Sequence, residues 1–265
     1  MTQQQSVEPV LTGVRNFRDL GGLPARDGRR VRHGRLFRSG HLARATDQDR
    51  AFLAGLGLRT VFDLRNAADR TLEGLDIALP GVRGRHVPLT GDRDGAEFWA
   101  LVRGGDLPRL RAAFGEGRAE ALMAETYREV VRERTTELGT VLRSLASDGA
   151  PALVHCSAGK DRAGLTVALA LLVAGVEPAA VEADYLLSGA PHHRYRLDRA
   201  TDAGDAVSPE IGGLLAPLFD ARGAYLTAAW DEIDAGWGSL DRYVAVGLGL
   251  SAAERRALEE TLLAE

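Results

Sequence analysis

Between Arg59 and Leu89 the apolar positions come in short runs, whereas after Leu165 they recur at helical spacing, and that change of period sets the expected architecture. Arg29 to Arg38 alternates toward a hairpin or edge strand ending in Phe37-Arg38-Ser39-Gly40. Arg59 to Leu64 and Arg85 to Leu89 read as strands, and Pro151 to Val154 is another apolar run, feeding a tight loop and then the buried helix Leu165 to Leu172. Thr46 caps a helix with Asp47 and Asp49 in its first turn and Phe52, Leu53 and Leu56 on its apolar side. Beyond the central helix the chain reads as helical over Pro178–Leu187, Pro191–Arg199, Pro209–Phe219, Ala224–Ala235, Ser239–Val246 and Ser251–Leu263, the last opened by a Ser251/Glu254 capping box. Alternating strands and helices predict an α/β fold, a mainly parallel central sheet flanked by helices with a helical C-terminal part, whose ligands gather at the carboxyl ends of the strands. Asp63, Asp92 and Cys156 all fall at such ends. The chain reads as a single domain over residues 1–265, with a helical insertion at about 94–134 that suits either core packing or a lid.

The candidate chemistry sits in Val154-His155-Cys156-Ser157-Ala158-Gly159-Lys160-Asp161-Arg162-Ala163-Gly164. Cys156 is the only cysteine and Lys160 the only lysine among 33 lysines and arginines. A loop of this length between a strand and a helix can turn its backbone N–H groups inward as a nest for phosphate oxygens. The same donors and the positive end of the helix favour an anionic sulfur on Cys156. Arg162, six residues on, can grip two phosphate oxygens with its planar fork. Cys156 and Arg162 are therefore the expected nucleophile and phosphate clamp, with Ser157, Ala158, Gly159, Lys160 and Asp161 completing the phosphate-binding loop. The alternative for Cys156 is a buried, inert thiol under a helix.

Composition narrows the classes. A net charge of −4 and a pI near 5.9 leave no footprint for nucleic acid. A lone cysteine forms no internal disulfide, and the polar Met1 to Val10 lacks the apolar core of a signal peptide. The apolar stretch Leu165 to Val176 is too short to span a bilayer, so the expected location is the cytoplasm, with export lacking a signal peptide left open.

Asn16-Phe17-Arg18-Asp19-Leu20-Gly21-Gly22, Leu36-Phe37-Arg38-Ser39, Asp63-Leu64-Arg65, the Cys156 loop and the tail Gly238-Ser239-Leu240-Asp241-Arg242-Tyr243 with Leu248-Gly249-Leu250-Ser251 together resemble the bacterial tyrosine phosphatase family, from about residue 8 to the C-terminus. The resemblance implies the cysteine-dependent phosphatase fold, a helical lid, and phosphorylated protein or phosphoinositide as substrate. It implies no cofactor and no metal. For the general acid it points first to Asp161, then to Asp63 at the end of its strand, with Asp92 third. His155 is expected to hold a neighbouring carbonyl, and Arg18, Asp19, Arg38 and Arg65 to be scaffold pairs. Lys160 is expected to lean over the pocket mouth toward a second anionic group, or else to pair with Asp161 or Asp63. Ala163 departs from the serine or threonine that many such phosphatases carry after the arginine. Two other classes stay open: a rhodanese-type sulfurtransferase, and a catalytically silent phospho-binding module.

Overall fold

The computed structural model describes residues 11–91, 101, 104–190, 193 and 208–264. Five strands, β1 (Arg18–Asp19), β2 (Leu36–Ser39), β3 (Thr60–Asp63), β4 (Arg83–His86) and β5 (Ala152–His155), form one sheet in the order β1-β2-β5-β3-β4. Only β1 runs antiparallel, against β2, so the mainly parallel α/β architecture expected from the sequence is the one observed. β5 lies at the centre, paired with β2 and β3, which carries its end and the following loop to the middle of the sheet's carboxyl edge.

The strand residues alternate between two cores, as the two-residue period of a strand requires. Leu36, Phe62, Ala152 and Val154 face the larger core, while Phe37, Val61 and Leu153 face a second one with Phe17, Leu42 and Leu53. Every residue of β2, β3 and β5 is buried, whereas β4 is an exposed edge strand. It spans Arg83–His86 and not Arg85–Leu89, because Val87 and Leu89 bond back to Asp63 and Leu64 beyond the ladder.

The helices among the described residues are α1 (Asp47–Gly55), α2 (Ala67–Glu73), α3 (Leu107–Phe114), α4 (Arg118–Glu133), α5 (Thr135–Ala146), α6 (Arg162–Val173), α7 (Pro178–Leu187), α8 (Pro209–Phe219), α9 (Gly223–Trp237), α10 (Leu240–Arg242) and α11 (Ala252–Leu262). Capping boxes at Thr46/Asp49 and Ser251/Glu254 start α1 and α11. The helix expected over Ser239–Val246 is instead the short α10 followed by a π turn, Tyr243–Gly247, in which Leu248 N–H reaches Tyr243 O at 2.8 Å. The helix expected over Pro191–Arg199 falls almost wholly outside the described residues.

The region expected to be an insertion divides in two where it is described. In α4, Tyr127, Val130 and Val131 join the main core. In α3, Leu110 and Phe114 instead pack with Ala119 and with Leu215 of α8 into a small cluster of their own. No helix of the described residues is long and apolar enough to cross a membrane.

Candidate active site

His155 ends β5 and Arg162 opens α6, so residues 156–161 form the loop between them. Gly159 has φ +71°, and any Cβ there would run into the Ser39 carbonyl. Only glycine fits. From outside the loop, two side chains and one backbone N–H hold its carbonyls. Arg38 Nη2 donates to Gly159 O at 2.7 Å and to Lys160 O at 3.3 Å, Asn16 Nδ2 donates to Ala158 O at 3.1 Å, and His41 N–H reaches Ser157 O at 3.2 Å. With its carbonyls tied back in this way, the loop can present N–H groups to an anion.

Arg38 is fully buried and held by Asp184 of α7 through Nη1 at 2.6 Å. Arg18 binds the same carboxylate through Nε at 2.9 Å and also bonds to Asn16. Burial pushes the Asp184 carboxyl up, but the two guanidiniums outweigh it and hold it below the usual range. The Asn-Phe-Arg and Phe-Arg-Ser motifs thus serve as the loop's clamp. Asp19 is bound separately, to Gly21 and Gly34 N–H and to His33.

A second buried arginine lies under the other side of the loop. Arg65 meets Asp63 through Nε and Nη2, both at 2.9 Å, Asp76 through Nη2 at 3.0 Å and Glu73 through Nη1 at 3.3 Å. Both oxygens of Asp63, expected as a second candidate acid or as one half of an ion pair, are bound by Arg65 two residues away, and Arg70 lies 3.4 Å from Oδ2. The fork of Arg65 and the alternation of the strand turn the two side chains toward each other. One oxygen each of Asp63 and Asp76 and a ring nitrogen of His155 lie within 4.8 Å of one another, the spacing of a metal site, but the cation among them is Arg65. His155 Nε2 lies 2.9 Å from Asp76 Oδ2 without meeting it in line, and Nδ1 is 3.5 Å from Cys156 O. Burial raises the Asp76 carboxyl, yet His155, Arg65 and the Leu42 N–H together bring it down to about 2. Burial, with Arg65 and His155 nearby, lowers His41 to about 4.

Cys156 is buried at the loop's floor. Arg162 donates from Nη2 to Ser157 Oγ at 3.1 Å and from Nη1 to Thr90 Oγ1 at 3.3 Å and to Asp69. Burial alone would lower its basicity, but the neighbouring Cys156 sulfur and Asp69 raise it. Asp69 belongs to the first turn of α2, where Asn66 caps its N–H at 2.8 Å. The cap pattern Asn66-x-x-Asp69 just after the Asp-Leu-Arg strand was the one sequence signal for it.

Asp161 opens onto the same rim. Its Oδ1 receives the Tyr127 hydroxyl at 2.8 Å and the Lys160 ammonium at 2.8 Å. Tyr127 lies 2.7 Å from the Tyr185 hydroxyl, and burial together with Asp161 pushes the Tyr127 phenol well above its ordinary range, so it stays a donor. Lys160 also donates to Leu218 O at 3.2 Å and Asp220 O at 3.0 Å, where α8 ends. Of the two expectations for Lys160, a reach over the pocket mouth or a pair with Asp161 or Asp63, the structure has the pair with Asp161: the ammonium is buried, and three oxygens account for its three protons. Tyr127 gave no signal in the sequence, since 34 residues separate it from Asp161. Asp92 lies outside the described residues.

Comparison with known proteins shows the family. The profile of the tyrosine phosphatase family matches residues 9–264. A Cupriavidus necator protein named as a tyrosine-protein phosphatase is 36% identical over 92% of this chain and 85% of its own. The triple specificity protein phosphatase PtpB of Mycobacterium tuberculosis is 31% identical over 96% of this chain and 98% of its own. A tyrosine-protein phosphatase of Nostoc commune is 29% identical over 85% of this chain and 73% of its own. With its loop, its clamp motifs and a family match over nearly its whole length, the chain belongs to the tyrosine phosphatase family and is a phosphatase of that class.

Proposed function

We propose that the chain hydrolyses phosphate monoesters through a cysteinyl-phosphate intermediate, with protein phosphotyrosine as the first substrate and phosphoserine, phosphothreonine and phosphoinositides as further ones. The observation that carries this reading is the pairing of buried Cys156 with Arg162 across a loop whose carbonyls are tied outward by Arg38 and Asn16. The breadth rests on the likeness to the triple specificity phosphatase.

In the first step the Cys156 sulfur attacks phosphorus, the bond from phosphorus to the leaving oxygen breaks, and Arg162 with the loop N–H groups carries the charge on the equatorial oxygens. Asp161 gives the leaving oxygen its proton. In the second step water attacks phosphorus and passes its proton to Asp161, and the sulfur–phosphorus bond breaks to release inorganic phosphate. Two donors on Oδ1 fix the Asp161 carboxyl and leave Oδ2, which has no partner among the described residues, for the substrate. Lys160 and Tyr127 are thus positioning residues. Asp69 holds Arg162 beside the loop, and with phosphate bound the fork turns part of its donors to the substrate.

The test is hydrolysis of a phosphotyrosine peptide and a phosphoinositide panel, with and without vanadate, by wild type and Cys156→Ser. Loss of both activities in the variant, with phosphate still bound, is expected. Turnover near wild type in Cys156→Ser would end the thiol mechanism, and thiosulfate turnover would favour the sulfurtransferase reading.

A further inference from the structure

Consecutive residues of α7 reach the catalytic loop by different routes, since a helix turns about 100° per residue. Asp184 binds Arg38 and Arg18, and through Arg38 it holds the loop's carbonyls. Tyr185 lies fully buried against the first turn of α6. Gly164 makes room for both arms of this contact: a Cβ there would stand 3.0 Å from Cδ2 of the Tyr185 ring and 2.8 Å from Nη2 of Arg38.

The Tyr185 hydroxyl is 2.7 Å from the Tyr127 hydroxyl, with the two rings edge to face at 6.3 Å. A proton count decides which of them donates. Tyr127 has one hydroxyl proton, and Asp161 Oδ1 receives it at 2.8 Å. Tyr185 must then give its own proton to the Tyr127 oxygen. Burial, with Asp161 nearby, raises the Tyr185 phenol above its ordinary range, so that proton stays in place. In turn the backbone N–H of Arg222, at the N-cap of α9, faces the Tyr185 oxygen. The donors therefore point one way, from Arg222 to Tyr185 to Tyr127 to Asp161. A phenol whose oxygen accepts a hydrogen bond gives its own proton more strongly. Tyr127 and Tyr185 are 1% and 0% exposed, so solvent cannot stand in for either hydroxyl. Tyr225, the third phenol of this cluster, is spent on Pro217 O at 2.8 Å and takes no part.

A second route runs beside the first. Lys160 meets the same Asp161 oxygen and also holds Leu218 O and Asp220 O. Both routes thus join Asp161 to residues 218–222, the junction of α8 and α9.

We propose that Tyr185 is a positioning residue for the acid: by donating to Tyr127 it fixes the rotation of that hydroxyl, and with it the Asp161 carboxyl, so that Oδ2 faces the leaving oxygen. The proposal rests on the reading of Asp161 as general acid. On that reading α7 sets both halves of the site, the anion loop through Asp184 and the acid through Tyr185.

The test uses Tyr185→Phe, Tyr127→Phe, the double variant and Asp161→Asn in the whole protein, each checked for folding by thermal melts. The ratio of kcat on an alkyl phosphate to kcat on nitrophenyl phosphate should fall about fivefold in Tyr185→Phe and about tenfold in Tyr127→Phe. The double variant should match Tyr127→Phe, because the first hydroxyl acts only through the second. By NMR of tyrosine-labelled protein, the Tyr127 hydroxyl proton should move upfield in Tyr185→Phe as its bond to Asp161 weakens. The same proton should move downfield in Tyr185→3-fluorotyrosine, a stronger donor of the same shape, which serves alone should Tyr185→Phe unfold. Losses that multiply in the double variant, equal losses on both substrates, a ratio unchanged in Tyr185→Phe while Asp161→Asn lowers it, or a hydroxyl proton that does not move would overturn the proposal. If Asp161→Asn leaves the ratio unchanged, the acid reading has failed, and the hydroxyl resonance alone decides whether Tyr185 positions Asp161.

Discussion

Two arginines, Arg38 and Arg65, lie fully buried beneath the same loop, and they do different work. Arg38 grips the loop's backbone directly and shares its one carboxylate, Asp184, with Arg18. Arg65 gathers Asp63, Glu73 and Asp76, and reaches the loop through these carboxylates, Glu73 bonding to Ser157 and Asp76 lying against His155. The difference teaches that one arginine shapes the anion site, while the other neutralises the acidic ground on which that site stands.

The comparison breaks most visibly if both arginines are truncated. Arg65→Met leaves Glu73 and Asp76 without their guanidinium and Asp63 with Arg70 alone, and should cost about 3–5 kcal/mol of stability, read by chemical denaturation. Arg38→Met leaves Arg18 on Asp184, so stability should fall less, while kcat of the folded protein drops about a hundredfold because the loop's N–H groups lose their fixed direction. If Arg38→Met lost stability but not kcat, the division of labour would be wrong.

A pH titration of stability sharpens the same contrast. His41 has a folded value of about 4, below the unfolded 6.5, so it contributes stability above pH 6.5 that is lost as pH falls toward 4, at most about 3 kcal/mol. Asp76, held at about 2 against 3.8, contributes stability present above pH 3.8 and lost as pH falls toward 2, about 2 kcal/mol. Melting curves should therefore fall in two windows. His41→Gln should flatten the upper one and Asp76→Asn the lower; an unchanged upper window in His41→Gln would assign it elsewhere.

How far these features were legible in the sequence depends on distance along the chain. The strand, loop and helix around Cys156 are contiguous, so their order and spacing survive translation into structure. The α5 helix was legible as well, in Leu138, Val141, Leu142 and Leu145 at helical spacing, but it was not among the expected elements. Asp63 could have been matched to Arg65 because alternate strand residues share a face. An ion pair with a nearby arginine is the other reading of Asp63 beside the acid role, and that pair is present. The tie of Asp184 to Arg38 spans 146 residues and that of Lys160 to the end of α8 spans 60, and no local pattern encodes either. Lys160 is charged and unique, which suggested ligand contact, but burial with three oxygen partners explains it better.

Smaller effects concern the rim. Lys160→Ala and Tyr127→Phe should each lower kcat about tenfold, equally on phosphotyrosine and phosphoinositide, because each acts by fixing Asp161. A loss confined to phosphoinositides would return Lys160 to the substrate. Asp161→Asn should depress alkyl phosphates far more than nitrophenyl phosphate, whose leaving group needs little help. The smallest change is expected at Ala163, where the helix offers no hydroxyl near the sulfur. Ala163→Ser should raise steady-state turnover a few-fold and remove a burst seen in the wild type.

The account rests on phosphorus passing through Cys156, and trapping that intermediate tests it most directly. Wild-type protein mixed with a phosphotyrosine peptide and quenched in acid within milliseconds is digested and its peptides weighed. The prediction is one phosphate on the peptide that contains Cys156, appearing with the first turnover and absent from Cys156→Ser. First-turnover product with no phosphate on that peptide, or phosphate carried at another residue, would contradict it.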